Sequence, residues 1–421
     1  MKVGGIMKTQ KKKIYYLSSI PLSIPSVLMF LERSQTSLVH RILEGISAGL
    51  SFFVVGLYQQ HDRWLWITYF VHWCFAFYFH LTYSMSGHMA DREMIRVLIG
   101  ERLQRVDSIS TKIVRCWYIF QPTTKDVRIM AIFATLITAW RLSSWYYLVY
   151  HGMALVCNFM SDVLIHGHGS TLFNIFFHVF LAMATGLETV IESSPTGVIQ
   201  LVMRYACWFM AILRIMDGFT QWPETKMFRV CTLTCALVLS PIGLYEWIKK
   251  IMTSTTFAST TIPYIETPYT DIELMLYDRP PHVEELDYRI HSLCCYLAYV
   301  MVDTYLGITR FPDYFRWLEG LIHHGLTGAV AFFCIFTGNT YPGCVAMIAE
   351  LPTIIMTLRH FISIPPWIFP LLFVVFRIIV LGYMVHVSFW EGQMGWIWVI
   401  FYIIFTFVNV HWFTKMIFKM N

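Results

Sequence analysis

Two adjacent histidines, His323 and His324, lie inside the apolar run RWLEGLIHHGLTG. Neighbouring residues on a helix point about 100° apart, so one imidazole can face a cavity while the other reaches the next helix. Glu319 precedes His323 by four residues, on the same helical face, where it could fix that ring's tautomer. A histidine held by a carboxylate is suited to general-base chemistry near neutral pH. The competing use of the pair is structural, as interhelical hydrogen-bonding groups. Other ionisable or polar groups fall within or at the ends of apolar runs nearby: His291, Asp303, Glu350, Arg377, His386 and Asn409. An ionisable side chain at membrane depth costs several kcal/mol unless paired or watered, so these groups should face one another around a polar cavity. Glu350 and Thr353 share a helical face, and Arg359 follows at the expected helix end, where a cation snorkels and complements the dipole. Arg377 sits mid-span and requires a counter-charge, for which Asp303 and Glu350 are the candidates; a purely structural ion pair is the alternative.

The elements that carry these residues must be membrane helices. The chain has 421 residues, 57% hydrophobic and only 14% charged, with a mean hydropathy of +0.56. Soluble domains carry about 25% charged residues, so this chain cannot cover a water-facing surface of its own size. In a bilayer only helices and closed barrels satisfy their backbone polar groups. Barrel strands alternate in polarity, whereas runs such as FRVCTLTCALVLSPIGLYEW are continuously apolar at helix length. The expected architecture is an all-α polytopic bundle of about twelve spans. They fall near 43–60, 64–84, 129–141, 145–165, 172–190, 197–216, 230–248, 290–309, 318–338, 341–358, 366–388 and 395–414. The apolar stretch 14–31, broken by Pro21 and Pro25, reads either as a signal peptide or as a re-entrant segment.

Charge placement orients the spans. Loops bearing Lys226 and Arg229, Arg310 and Arg316, and Arg359, with the tail bearing Lys415 and Lys419, fall on one side. The acidic connection 252–289 and the loop with Glu391 fall on the other. The positive-inside rule makes the basic side cytosolic and places both termini in the cytosol, although Lys249, Lys250 and Arg141 run against it. The basic stretch 85–128 is expected to be a cytosolic loop containing an interfacial helix. A net charge of +5, in short clusters beside apolar segments, speaks for membrane lipids rather than nucleic acid as partners. The ten cysteines lie mostly in apolar runs without a CxxC pair, as inert buried thiols do.

From about residue 230 onward the sequence resembles the TLC domain, in the branch of small TLC-domain proteins related to ceramide synthases. The matching pieces occur in order: IHSLCCYLAYVMVDTY, RWLEGLIHHGLTG, AELPTIIMTLRHF, FVVFRIIVL and VNVHWFTKMIFKM. The resemblance divides the chain into an N-terminal multi-span region, 1–229, and a TLC-like lipid-handling domain, 230–421. It implies a compact bundle with a lipid-accessible cavity, in the endoplasmic reticulum. It further implies fatty-acyl or sphingoid lipids as ligands and, if the chain is an enzyme, N-acyl transfer with acyl-CoA as co-substrate and no metal or other cofactor. On that analogy His323 or His324 is the base and Asp303 and Glu350 are supporting catalytic groups. His291, Thr353, Arg359, Arg377 and Asn409 then bind substrate. Where ceramide synthases carry an aspartate pair this chain offers only Glu350, and His360 stands where the small TLC proteins usually have tryptophan. A sensing, composition-regulating or transporting role is therefore an equal reading.

The first half carries His72, Cys74, His80, Ser84 and His88 around one span, and His151, Asp162, His166, His168 and His178 around another pair. Ser84-x3-His88 followed by Asp107 is faintly similar to the progestin-and-adipoQ-receptor and alkaline-ceramidase group. That likeness implies a zinc-dependent lipid hydrolase, with three imidazoles and a water on the metal. Asn174 precedes His178 where that group has a second histidine, and the reading makes 107–122 a span despite Lys112 and Arg115. Histidines hydrogen-bonded within a helical bundle are the alternative.

Overall fold

The computed structural model describes residues 37–58, 63–104, 112–113, 115–116, 127–163, 168–188, 197–220, 222–255, 284–315, 317–338, 340–383 and 396–420. The stretch 14–31, most of the acidic connection 252–289, and Asp107, His166, His386 and Glu391 lie outside the described residues. So do the side chains of Asp162, His168, Arg316 and Glu319. Every regular element among the described residues is helical. Six stretches are long and apolar enough to cross a membrane: Leu38–Leu57, Gly169–Glu188, Val198–Phe219, Glu224–Lys249, Tyr288–Thr309 and Thr340–Leu358. Shorter apolar helices run over Ala131–Leu142, His323–Phe336 and Ile368–Tyr383. The chain is an all-α membrane protein.

The fold comprises two compact units, one within Met1–Ser194 and Arg214–Gln221, the other within Pro195–Leu213 and Trp222–Asn421. The first contains α1 (Leu38–Ser47), α2 (Leu50–Tyr58), α3 (Arg63–Thr82), α4 (Met85–Gln104), α5 (Val127–Leu142), α6 (Trp145–Val163) and α7 (His168–Glu188). It also holds the last residues of α8 (Val198–Phe219). Ser37 opens α1 by accepting a hydrogen bond from the His40 backbone, satisfying one of the orphan donors of the first turn. Tyr83, at a φ of 45°, turns α3 back into α4, and the two form a hairpin. Helices α6 and α7 pair likewise, with α7 packed on α1 and α2.

Helix α4 corrects the expectation of an interfacial helix. An interfacial helix would hold its charges in water, yet Glu93, Arg96 and Glu101 are only 2–4% exposed. Glu93 and Arg96 are matched inside the unit: Arg96 lies 3.0 Å from Glu93, and Arg214 of α8 lies 3.3 Å from the same carboxylate. A count of charges along the sequence registers polarity; it does not register the partners that permit burial.

The second unit contains the beginning of α8, then α9 (Glu224–Thr255), α10 (Glu284–Thr309), α11 (Trp317–Phe336) and α12 (Thr340–Ala346). A 3-10 turn (Met347–Glu350) leads into α13 (Leu351–Leu358). Helix α14 (Ile368–Phe373) runs into a π-helical turn (Val374–Ile379), and α15 (Trp396–Met420) is the last element. Close approaches set its packing. Helix α9 lies against the 3-10 turn at Gly243, where an added Cβ would stand 2.2 Å from the backbone nitrogen of Ile348. The ring of Phe315 fills the space that Cβ atoms at Gly307 and Gly320 would need.

Candidate functional site

Within the second unit a cavity, with about 90 Å³ open to the centres of water molecules, lies among α10, α11, α12, the 3-10 turn, the π turn and α15. A single water requires roughly 10–15 Å³ by this measure, so several fit. Most of the wall is apolar, from Leu293 and Val330 to Leu381, Phe401 and Phe405. The polar groups that reach it are His323, Thr327, Glu350, Arg377 and Asn409.

Arg377 organises that polar face. Its Nε donates to the carbonyl of Ala349 at 2.7 Å, Nη2 donates to Thr353 Oγ1 at 2.7 Å, and Nη1 donates to Asn409 Oδ1 at 3.5 Å. The Glu350 carboxylate stands 3.7 Å from Nη2, so Glu350 is the counter-charge of Arg377. Both side chains are little exposed, at 13% and 12%. Two irregular backbone segments make these contacts possible. The 3-10 turn ends on Glu350 and turns the Ala349 carbonyl toward the arginine, while the π turn carries Arg377 itself. Irregular backbone at membrane depth is tolerated where it is buried in protein or lines a cavity, and π turns occur frequently at functional sites.

The histidine doublet diverges as helical geometry requires. His323 faces the cavity, its ring 5.0 Å from that of Trp412, and its imidazole makes no hydrogen bond among the described residues. His324 turns the other way: Nδ1 is 2.7 Å from Thr304 Oγ1 and Nε2 is 3.5 Å from Asp303. Thr232 of α9 donates to the same aspartate at 3.5 Å. These contacts join α11 to α10, and His324 is not among the residues that line the cavity. Thr304→Val should therefore lower stability by about 1 kcal/mol, because it leaves a buried imidazole nitrogen without its partner. Thermal unfolding of the purified chain measures this, and an unchanged transition would remove the linking role.

Of the residues the sequence singled out, His323, Glu350, Thr353, Arg377 and Asn409 come together. Asp303 and His324 form a separate pair. His291 takes the hydroxyl of Tyr205 on α8 at 2.7 Å and does not line the cavity. Arg359, at the end of α13, stacks over Phe369 with 5.5 Å to the ring centre and also stays outside the wall. Sequence reasoning missed Trp412, the Ala349 carbonyl, Thr304 and Thr232. Trp412 lies three residues after Asn409 on the same face of α15, which was a usable signal; a backbone carbonyl gives none.

In the first unit His80 lies 3.3 Å from Glu44 and makes an edge-on ring contact with His178, and His72 lies 3.3 Å from Asp91. Ser84 bonds locally, to Thr82 and to the Gly87 amide. Among the described residues no three His, Cys, Asp or Glu side chains are arranged to hold a metal ion. No family model, curated protein or solved structure matches this chain.

Proposed function

We propose that the second unit binds a fatty-acyl or sphingoid lipid in the cavity beside His323, as its resemblance to TLC domains implies. The observation that carries the reading is one apolar chamber whose polar groups, His323, Thr327, Glu350, Arg377 and Asn409, gather from α11, the 3-10 turn, the π turn and α15. An alkyl chain fits the apolar wall, and a head group fits the donors and acceptors. The full reading is a polytopic protein of the endoplasmic reticulum, with about twelve spans and cytosolic termini.

If the unit is catalytic, the reaction is N-acyl transfer from acyl-CoA to a long-chain amine. The amine nitrogen attacks the thioester carbonyl, the C–N bond forms and the C–S bond breaks. His323, whose ring is free among the described residues, takes the proton from nitrogen, and the departing thiolate is protonated in turn. His324 does not line the cavity and contacts Thr304 and Asp303, which favours His323 for that role. Comparative lipidomics of cells expressing wild type, His323→Ala or no protein tests this. A wild-type shift in one acyl-lipid class that His323→Ala abolishes supports catalysis. A shift that survives His323→Ala retains lipid binding, sensing or transport without acyl transfer. Identical profiles in all three, with no lipid co-purifying, would retire the reading.

A further inference from the structure

Helix α4 carries ionisable groups along its whole length, and most of them meet partners inside the first unit. At its start, beside the α3–α4 turn, Glu44 of α1 accepts a short hydrogen bond from Tyr83 and faces His80, which touches His178 of α7. Next come Asp91 with His72, and His88 with Arg92 near it. Asp91 also acts electrostatically on His80, His88 and His178, which places all of these groups in one neighbourhood. Two residues past Asp91 lies Glu93, with Arg96 and Arg214 against it. At the far end Arg102 donates from Nε to Glu188 at 2.7 Å, Tyr147 donates to the same carboxylate, and His151 stands 3.4 Å from Arg102. From His88 to Arg102 the helix rises about 21 Å at 1.5 Å per residue.

A structural scaffold would leave its buried polar atoms satisfied. This column does not: Asn174 Nδ2 and His178 Nε2, on one face of α7, are buried without a hydrogen bond among the described residues. Their residues are 5% and 9% exposed. Buried groups of that kind are commonly completed by internal water. Glu44, His178 and Glu188 lie on the membrane-crossing stretches Leu38–Leu57 and Gly169–Glu188, and Asp, Glu and His groups within such stretches are the side-chain pattern of proton relays. We propose that this column conducts protons through the first unit, from the Glu44–Tyr83–His80 end, past His178 and Asp91–His72, to Glu93 and on to Glu188, with internal water carrying the proton between Asp91 and Glu93 and between Glu93 and Glu188. At each step an acceptor nitrogen or oxygen takes one proton and releases another on its far side, so no other reactant is consumed. The arginines keep their protons throughout; they hold Glu93 and Glu188 in the column.

The full chain reconstituted in phosphatidylcholine vesicles, with a trapped pH-sensitive dye and a potassium diffusion potential, tests the proposal. Wild type should pass protons at least tenfold faster than protein-free vesicles. His178→Ala should bring the flux to within twofold of those controls. Tyr83→Phe, which keeps the ring and removes only the hydroxyl on Glu44, should lower it severalfold and keeps the test decisive if His178→Ala does not fold. A wild-type flux equal to that of empty vesicles overturns the proposal. So does unchanged flux in the folded variants.

Discussion

Gly243→Val will destabilise the second unit by about 3 kcal/mol, the upper part of the range for overpacking a close contact. A Cβ at this position meets backbone, not a movable side chain: the nitrogen of Ile348 at 2.2 Å, the carbonyl carbon of Met347 at 2.7 Å and the Cα of Ile348 at 2.9 Å. No rotamer change relieves such a clash. Either α9 withdraws or the 3-10 turn moves, and that turn holds Glu350 and the Ala349 carbonyl against Arg377. The expected result is a thermal transition lowered by roughly 10 °C, with loss of any lipid retained by wild type. Gly325→Ala in α11 is the matched control, because a Cβ there meets nothing within 4 Å. That change removes a glycine from a helix interior and should raise stability by roughly 0.5–1 kcal/mol. Equal transitions for Gly243→Val and wild type would show that the helices are not as close as described.

Gly243 also marks the limit of what sequence alone makes legible. A glycine within an apolar helix reads as an ordinary small residue until the opposing backbone is known. The divergence of His323 and His324 follows from the turn per residue and needs no tertiary information. The pairing of Arg377 was narrowed to Asp303 or Glu350 by the need for a counter-charge, and only the 3-10 and π turns decide for Glu350. Those turns depart from regular α-helix by one hydrogen-bond register, and apolar periodicity does not register so local a change. The family resemblance groups Arg359 with the substrate-binding residues, and His291 is grouped there both by that resemblance and as a polar group within an apolar span. Their side chains instead meet Phe369 and Tyr205. Helix α4 is the inverse case, since its charges suggested a water-facing surface and its burial depends on partners more than a hundred residues away, such as Arg214 for Glu93.

Arg377→Met will cost on the order of 3 kcal/mol, because it leaves the Glu350 carboxylate buried without its cation. The same change removes the donors to Ala349, Thr353 and Asn409, so the cavity loses its organising group along with a charge. Adding Glu350→Leu to Arg377→Met should recover a large part of that loss, since a buried pair replaced as a whole by apolar groups is often neutral. Two effects are thereby separated. Stability follows the charge balance and returns in the double variant; lipid retention follows the arginine's hydrogen bonds and does not. Arg377→Lys is the sharper probe of the second effect, because it keeps the charge and loses the planar fork that reaches three acceptors at once. Unfolding in detergent should find Arg377→Lys nearer wild type than Arg377→Met, while co-purified lipid should fall in both. If Arg377→Met and the double variant unfold alike, the pair contributes no charge coupling, and Arg377 is held by its backbone and hydroxyl partners alone.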